Sequence, residues 1–143
     1  MSILHIFRGL PGSGKSSAAR KLAAETGAIL IEPDALLIRD GRYDYSPKRF
    51  RDASIIALSL VYSASSKLGA DIVFADVLPR ISDVGFIVSF LYVSKDYEVI
   101  VHDLKITAEE SKARNIHQVK PEDIDRMARE WEDWEAWSLL SRF

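Results

Sequence analysis

The chain has 143 residues, enough for one domain with a hydrophobic core, and 48% of them are apolar, an ordinary proportion for a globular protein. A net charge of −2 leaves no global field to attract nucleic acid, so any such contact must come from a local patch. The absence of cysteine excludes disulfides, zinc–thiolate sites and thiol catalysis and suits a reducing cytoplasm; no signal peptide or membrane span is expected, since the longest largely apolar stretch, Val84 to Val93, is too short.

The first element is a strand over Ile3 to Phe7, a short apolar run suited to a buried parallel sheet. It leads into GLPGSGKSS, where Gly9, Gly14, Lys15 and Ser16 fill the pattern G-x-x-x-x-G-K-[ST]. A phosphate is bound there by several backbone N–H groups pointing into one concavity, and side chains would block its approach. The helix that follows, Lys15 to Gly27, offers unpaired N–H groups and the positive end of its dipole; Ala18, Ala19, Leu22 and Ala23 form its apolar stripe. Gly9, Pro11, Gly12, Ser13, Gly14, Lys15, Ser16 and Ser17 are thus expected to hold ATP. Lys15 would reach the β- and γ-phosphates and the Ser16 hydroxyl would ligate Mg²⁺.

A second strand is predicted over Ala28 to Glu32 and a long helix over Pro47 to Leu68, with Ser46 as N-cap and Gly69 as terminator. Phe50, Ala53, Ala57, Leu60, Ala64 and Leu68 mark its expected buried face. Asp71 to Asp76 is a third strand, Asp83 to Ser94 a helix capped by Ser82, and Tyr97 to Leu104 a fourth strand. Thr107 and Glu110 make a capping box for a short helix. Pro121 opens the last helix, with Ile124, Met127, Ala128, Trp131 and Trp134 on one side; these tryptophans and Trp137 read as packing residues. Alternating strands and helices predict a three-layer α/β/α domain spanning 1–143, with a parallel sheet of about four strands.

Ligands on such sheets bind beyond the carboxyl ends of the strands, which directs attention to three places. Asp34, after the second strand, is placed either to take a proton from an attacking hydroxyl or to cap the following turn. Asp76 ends the third strand and is read as holding Mg²⁺, directly or through water, as binding the acceptor hydroxyl, or as a polar strand terminus. Lys112 and Arg114 are cations for the γ-phosphate, or cations favourably placed in a helix's last turn. Arg39 to Arg51 interleaves Arg39, Arg42, Lys48, Arg49 and Arg51 with Tyr43, Tyr45 and Phe50; this is either a surface for phosphates and bases or a solvated loop. His5, His102 and His117 form no ligand spacing.

With these residues in order, the chain resembles the kinase domain of the phage polynucleotide 5′-kinases, within the wider P-loop kinase group. GLPGSGKSS resembles that family's phosphate loop, IEPD its second-strand end, YDYS the aromatic segment before its long helix and VFAD its third-strand end. SKARN resembles its lid, here about 107–120, and PEDIDRMAREWE its closing helix. The resemblance implies that Asp34 is the general base, that Asp76 belongs to the acceptor site and that Arg114 touches the ATP phosphates. The family commonly has an Arg three residues after the base, to neutralise the acceptor's 3′-phosphate; here that position is Leu37, and the nearest is Arg39. Val77-Leu78-Pro79 stands where the family often has Thr-Asn, and a second lid Arg is missing, with His117 or Gln118 near its place.

The expected function is Mg²⁺- and ATP-dependent phosphorylation of a hydroxyl, foremost the 5′-OH of a nucleic acid, with Lys15, Asp34 and Arg114 catalytic and Asp34, Arg39, Asp76 and Arg80 on the acceptor side. An alternative is a nucleoside, nucleotide or other small-molecule kinase: Asp76 to Arg80, DVLPR, resembles the D-G-x-P-R of nucleoside monophosphate kinases, with Val77 for the Gly. Another is a nucleotide-binding regulator; a GTPase would need an N-K-x-D signature, which the chain lacks.

Overall fold

The computed structural model describes residues 1–115 and 119–134. Strand β1 (Ser2–Arg8) runs into the phosphate loop and helix α1 (Lys15–Thr26), which Gly27 closes in the left-handed region by donating its N–H to the Ala23 carbonyl. After β2 (Ile29–Ile31) comes a 3₁₀ turn, Pro33–Leu37, and then a small antiparallel hairpin, β3 (Ile38–Arg39) and β4 (Arg42–Tyr43), where a loop was expected. Asp40 and Gly41, both at positive φ, make its reversal.

Helix α2 (Pro47–Ser63) starts as predicted, the Ser46 hydroxyl accepting from the Arg49 N–H, and continues as a π turn, Ala64–Leu68, up to Gly69. Its buried line is Ala53, Ala57, Val61, Ala64 and Ser65, whereas Leu60 and Leu68, expected inside, are exposed. Two causes account for the difference. From Ile55 onward the helix is largely apolar on every side, Ile55, Ile56 and Tyr62 being exposed as well, so the pattern there does not select a face. The π turn then adds a residue per turn and rotates Ser65 inward in place of Leu68.

Strand β5 (Ile72–Asp76) is followed by α3 (Ile81–Val88), which starts two residues before and ends six residues before the expected 83–94. The Asp83 carboxylate accepts the Arg80 N–H at 2.9 Å and so starts the helix ahead of Ser82; at the other end the Tyr92 N–H leaves for the Ser65 hydroxyl, 3.0 Å away. Strand β6 (Tyr97–Asp103), α4 (Ala108–Ala113, with its Thr107–Glu110 capping box) and α5 (Pro121–Glu130) complete the described chain. Trp131 lies beyond α5 with extended backbone, because the Glu132 N–H is drawn to the Pro79 carbonyl at 2.8 Å. Trp137 falls outside the described residues.

The sheet is parallel, in the order β2-β5-β1-β6. Alternation along its strands serves two cores. Leu4, Ile6, Ile72 and Phe74 pack with Ala57, Val61, Val84 and Ile87 of α2 and α3, while Phe7, Val73 and Ala75 pack with Ala19 and Ala23 of α1. The result is the expected three-layer α/β/α arrangement, with β1 and β5 central and their carboxyl ends opening on one site.

Candidate active site

The phosphate loop is held open by its backbone. Gly12 and Gly14 have φ of 79° and 89°, where a Cβ is strained, and Gly14 occupies the N-cap of α1 with no side-chain cap. The first N–H groups of α1 are therefore free for a ligand, and the Ser13 Oγ is buried with no hydrogen-bond partner. Gly9 lies beneath, against Ser13 and the Leu104 carbonyl. An orphaned donor beside an uncapped helix N-terminus fits a bound phosphate chain. Lys15 is only 7% exposed. Burial lowers its pKa, against the opposing pull of Asp76, Asp34 and Glu32.

Asp34 sits inside the 3₁₀ turn, whose N-cap position is Glu32, so it does not cap. Its Oδ1 instead accepts from the Tyr43 hydroxyl at 3.4 Å, and burial together with Asp34 raises the Tyr43 pKa. Asp76 ends β5 beside the end of β1, the two strands pairing Arg8 with Asp76. Its Oδ1 accepts the Val77 N–H at 2.8 Å. Burial, and then the charge of Asp34, push Asp76 up to about 7, against the Val77 N–H and Lys15.

Asp34, Asp76 and Lys15 line one cavity of about 540 Å³, along with Pro11, Gly12, Gly14, Ser16 and Ser17. Its other walls are largely apolar: Phe50, Leu58, Phe74, Leu78, Phe86, Ile87 and Met127. Leu78 holds φ of 50°, unusual for a non-glycine residue. Four helices, α1, α2, α3 and α5, thus converge with the end of β5 on a space that can take a phosphate donor and a neighbouring acceptor.

Helix α4, in the segment expected to be the lid, is docked on the loop, the Ser111 hydroxyl donating to the Pro11 carbonyl at 2.6 Å. Arg114 follows at its C-cap; a Cβ on Gly12 would lie 2.8 Å from the Arg114 Cβ, so the two backbones are in contact. The Arg114 guanidinium is 3.6 Å from Glu110 and mostly in solvent, outside the cavity lining. Lys112 points to α5 instead, 2.7 Å from Asp125. Arg80 pairs with Glu130 at 3.2 Å and does not line the cavity. Arg39 is also outside it, loosely paired with Asp44 at 3.8 Å; with Arg42 and Tyr43 it lines a separate groove on the hairpin. His117 and Gln118 lie outside the described residues.

Sequence reasoning passed over Arg8, which is wholly buried. Its guanidinium donates to the carbonyls of Leu78, Pro79 and Glu132 at 2.9–3.0 Å, pairs with Asp103, and lies 4.1 Å from the Trp131 ring centre. It ties the segment after β5 and the segment after α5 to the end of β1, and so fixes the Leu78–Pro79 wall of the cavity. The one available signal was a cation closing a largely apolar strand.

A family model described as an AAA domain matches residues 4–138. Among solved structures, a chain of the Pnkp1/Rnl/Hen1 RNA repair complex superposes with a TM-score of 0.72 at 17% identity, over 90% of this chain, which spans 43% of that one. A gluconokinase from Sinorhizobium meliloti 1021 gives 0.59 at 20% identity, covering 92% of this chain and 75% of that one. Shikimate kinase from Acinetobacter baumannii, in complex with shikimate, gives 0.52 at 17% identity, covering 91% and 79%. At these identities the likeness establishes the fold.

Proposed function

The chain belongs to the AAA domain family as a P-loop kinase-like domain, and from that premise we propose that it transfers the γ-phosphate of ATP to the 5′-hydroxyl of a polynucleotide. The observation that carries this reading is the double placement of Tyr43. It lines the 540 Å³ cavity with Lys15, Asp34 and Asp76, and it also lines the hairpin groove with Arg39 and Arg42. A strand of nucleic acid needs such a continuation from the reacting hydroxyl to cations and aromatic faces, with Tyr45 stacked near Tyr43 at 6.4 Å.

In this reading the phosphate loop and Lys15 bind the ATP phosphates, and Ser16 with Asp76 would hold the Mg²⁺ that offsets their charge. Asp34 orients the acceptor hydroxyl and takes its proton as the oxygen bonds to the γ-phosphorus and the bond to the β-phosphate oxygen breaks, releasing ADP. Arg114, carried on the docked lid, turns from Glu110 to the transferring group.

A small-molecule hydroxyl is the second reading, favoured by the largely apolar cavity wall and by the burial of Leu37 where the polynucleotide kinases commonly have an Arg. The folds of a gluconokinase and a shikimate kinase are compatible with it. Incubation with γ-labelled ATP, Mg²⁺ and a panel of 5′-OH oligonucleotides, nucleosides, nucleoside monophosphates and small polyols separates the two. Labelling of the oligonucleotides is expected; labelling confined to a nucleotide or polyol would replace the first reading by the second.

A further inference from the structure

The charge of the cavity is lopsided. Asp34, Asp76, Asp83 and Glu130 line it, and among its described lining residues only Lys15 and Arg126 are basic. Lys15 is enclosed beside the phosphate loop, where the ATP phosphates bind in the reading above. Arg126 is carried by α5, next to the cavity-lining Met127. Its guanidinium is half exposed, and its ion pair with Asp123, one turn back on α5, is loose at 3.7 Å. A pair of that length in solvent holds the side chain weakly.

A polynucleotide brings a charge of its own into this space. The nucleotide bearing the 5′-hydroxyl carries a phosphodiester on its 3′ oxygen, a few bonds from the reacting atom. Among carboxylates that anion is disfavoured unless a cation meets it. Leu37 offers none, and Arg39 and Arg80 lie outside the cavity lining. We infer that Arg126 is the specificity-determining residue of the acceptor side: its guanidinium leaves Asp123 and pairs with the 3′-phosphodiester of the 5′-terminal nucleotide. The planar fork suits two phosphate oxygens at once, which a lysine would match only in charge. The inference rests on the polynucleotide reading and adds the residue that would enforce it.

The test compares two acceptors of equal size, a 5′-OH dinucleotide with a phosphodiester link and the same dinucleotide with an uncharged methylphosphonate link. The wild type should prefer the charged acceptor in kcat/KM, and the preference should shrink as salt is raised. In Arg126→Ala, kcat/KM for the charged acceptor should fall about 10- to 100-fold, mostly through KM, as expected for one lost charge-assisted contact to phosphate. The ratio between the two acceptors should collapse while the KM for ATP stays put, and Arg126→Lys should restore part of the ratio. Equal losses on both acceptors, or none, would overturn the assignment and leave the polynucleotide reading standing. If the wild type labels neither dinucleotide nor any longer 5′-OH strand, the reading itself falls, and this assignment with it.

Discussion

Arg8 and Asp103 are the last residues of β1 and β6, are partners in the sheet register, and close an ion pair of 3.1 Å. That contact, from Nη1 to Oδ1, is not aligned as a hydrogen bond; Nη1 donates to Oδ2 at 3.4 Å. Burial lowers the Arg8 pKa and raises that of Asp103, in each case against the pull of the partner, so desolvation outweighs their attraction. The pair is better understood as fixing geometry than as adding stability. Removing one member should nevertheless be costly, because it strands the other. Arg8→Met is expected to lose about 3–5 kcal/mol by thermal or urea melting, and Arg8→Met/Asp103→Leu to recover part of it. A single variant as stable as wild type would show that Arg8 does not hold the two segments.

Lys15→Ala should abolish phosphoryl transfer and leave the fold intact. The side chain is buried among Asp76, Asp34 and Glu32 and its charge is opposed by desolvation, so its loss removes stabilisation from the reaction and not from the core. Turnover near wild type in a folded Lys15→Ala protein would remove it from the chemistry.

Asp34→Asn isolates the base. The carboxylate does not cap the turn in which it lies, so the substitution should leave melting nearly unchanged. Transfer at saturating ATP and acceptor should fall about 10²–10⁴-fold, the range for a positioned acid–base group, or less if the transition state is loose and little proton transfer has occurred. A loss under about tenfold, with chemistry shown to limit the rate, would leave the reaction without this base.

Arg114→Ala should lower kcat more than it raises the KM for ATP. The guanidinium rests on Glu110, mostly in water, and would reach the phosphates only as charge develops there. A pure loss of ATP affinity with unchanged kcat would make it a ground-state contact.

Asp76 predicts opposite trends for stability and activity. Its folded pKa, about 7, lies above the 3.8 of an ordinary aspartate, so between those values the folded state binds more protons and stability falls as pH rises. Asp76→Asn should therefore be more stable than wild type at pH 8 by on the order of 1–2 kcal/mol, since water reaches part of the site, and should lose that margin by pH 4. Wild-type kcat/KM should climb with pH and level off above about 7, if the ionised carboxylate is needed. A flat profile from pH 6 to 8, or an Asn variant less stable at pH 8, would contradict this.

The fold was legible because its signals are local. The glycine pattern at Gly9 to Ser16, the Ser46 cap, the Thr107–Glu110 box and the apolar strand runs each act within a few residues, and all recur in the structure. What was missed depends on partners distant in sequence. Ser65 takes the Tyr92 N–H across 27 positions and ends α3 early, and Arg8 takes the Glu132 carbonyl across 124. No window-based pattern contains either bond. At the site, Lys15, Asp34 and Asp76 come together as the strand-end rule requires, whereas Arg39, taken as the arginine nearest Leu37, and Arg80, taken from the DVLPR segment, pair with Asp44 and Glu130 outside the cavity lining.

Leu78 carries a conformation that glycine would adopt freely, yet its side chain is 9% exposed in the cavity wall and its carbonyl is fixed by Arg8. Backbone preference and wall shape therefore pull this position in opposite directions. Leu78→Gly gives up the burial of a leucine, about 2 kcal/mol, and regains about 1 kcal/mol of left-handed strain, so the chain should stay folded with a deeper cavity. Under the kinase reading, position 78 is a lever on acceptor size, and Leu78→Gly should shift relative kcat/KM toward bulkier hydroxyl acceptors in a series of graded size.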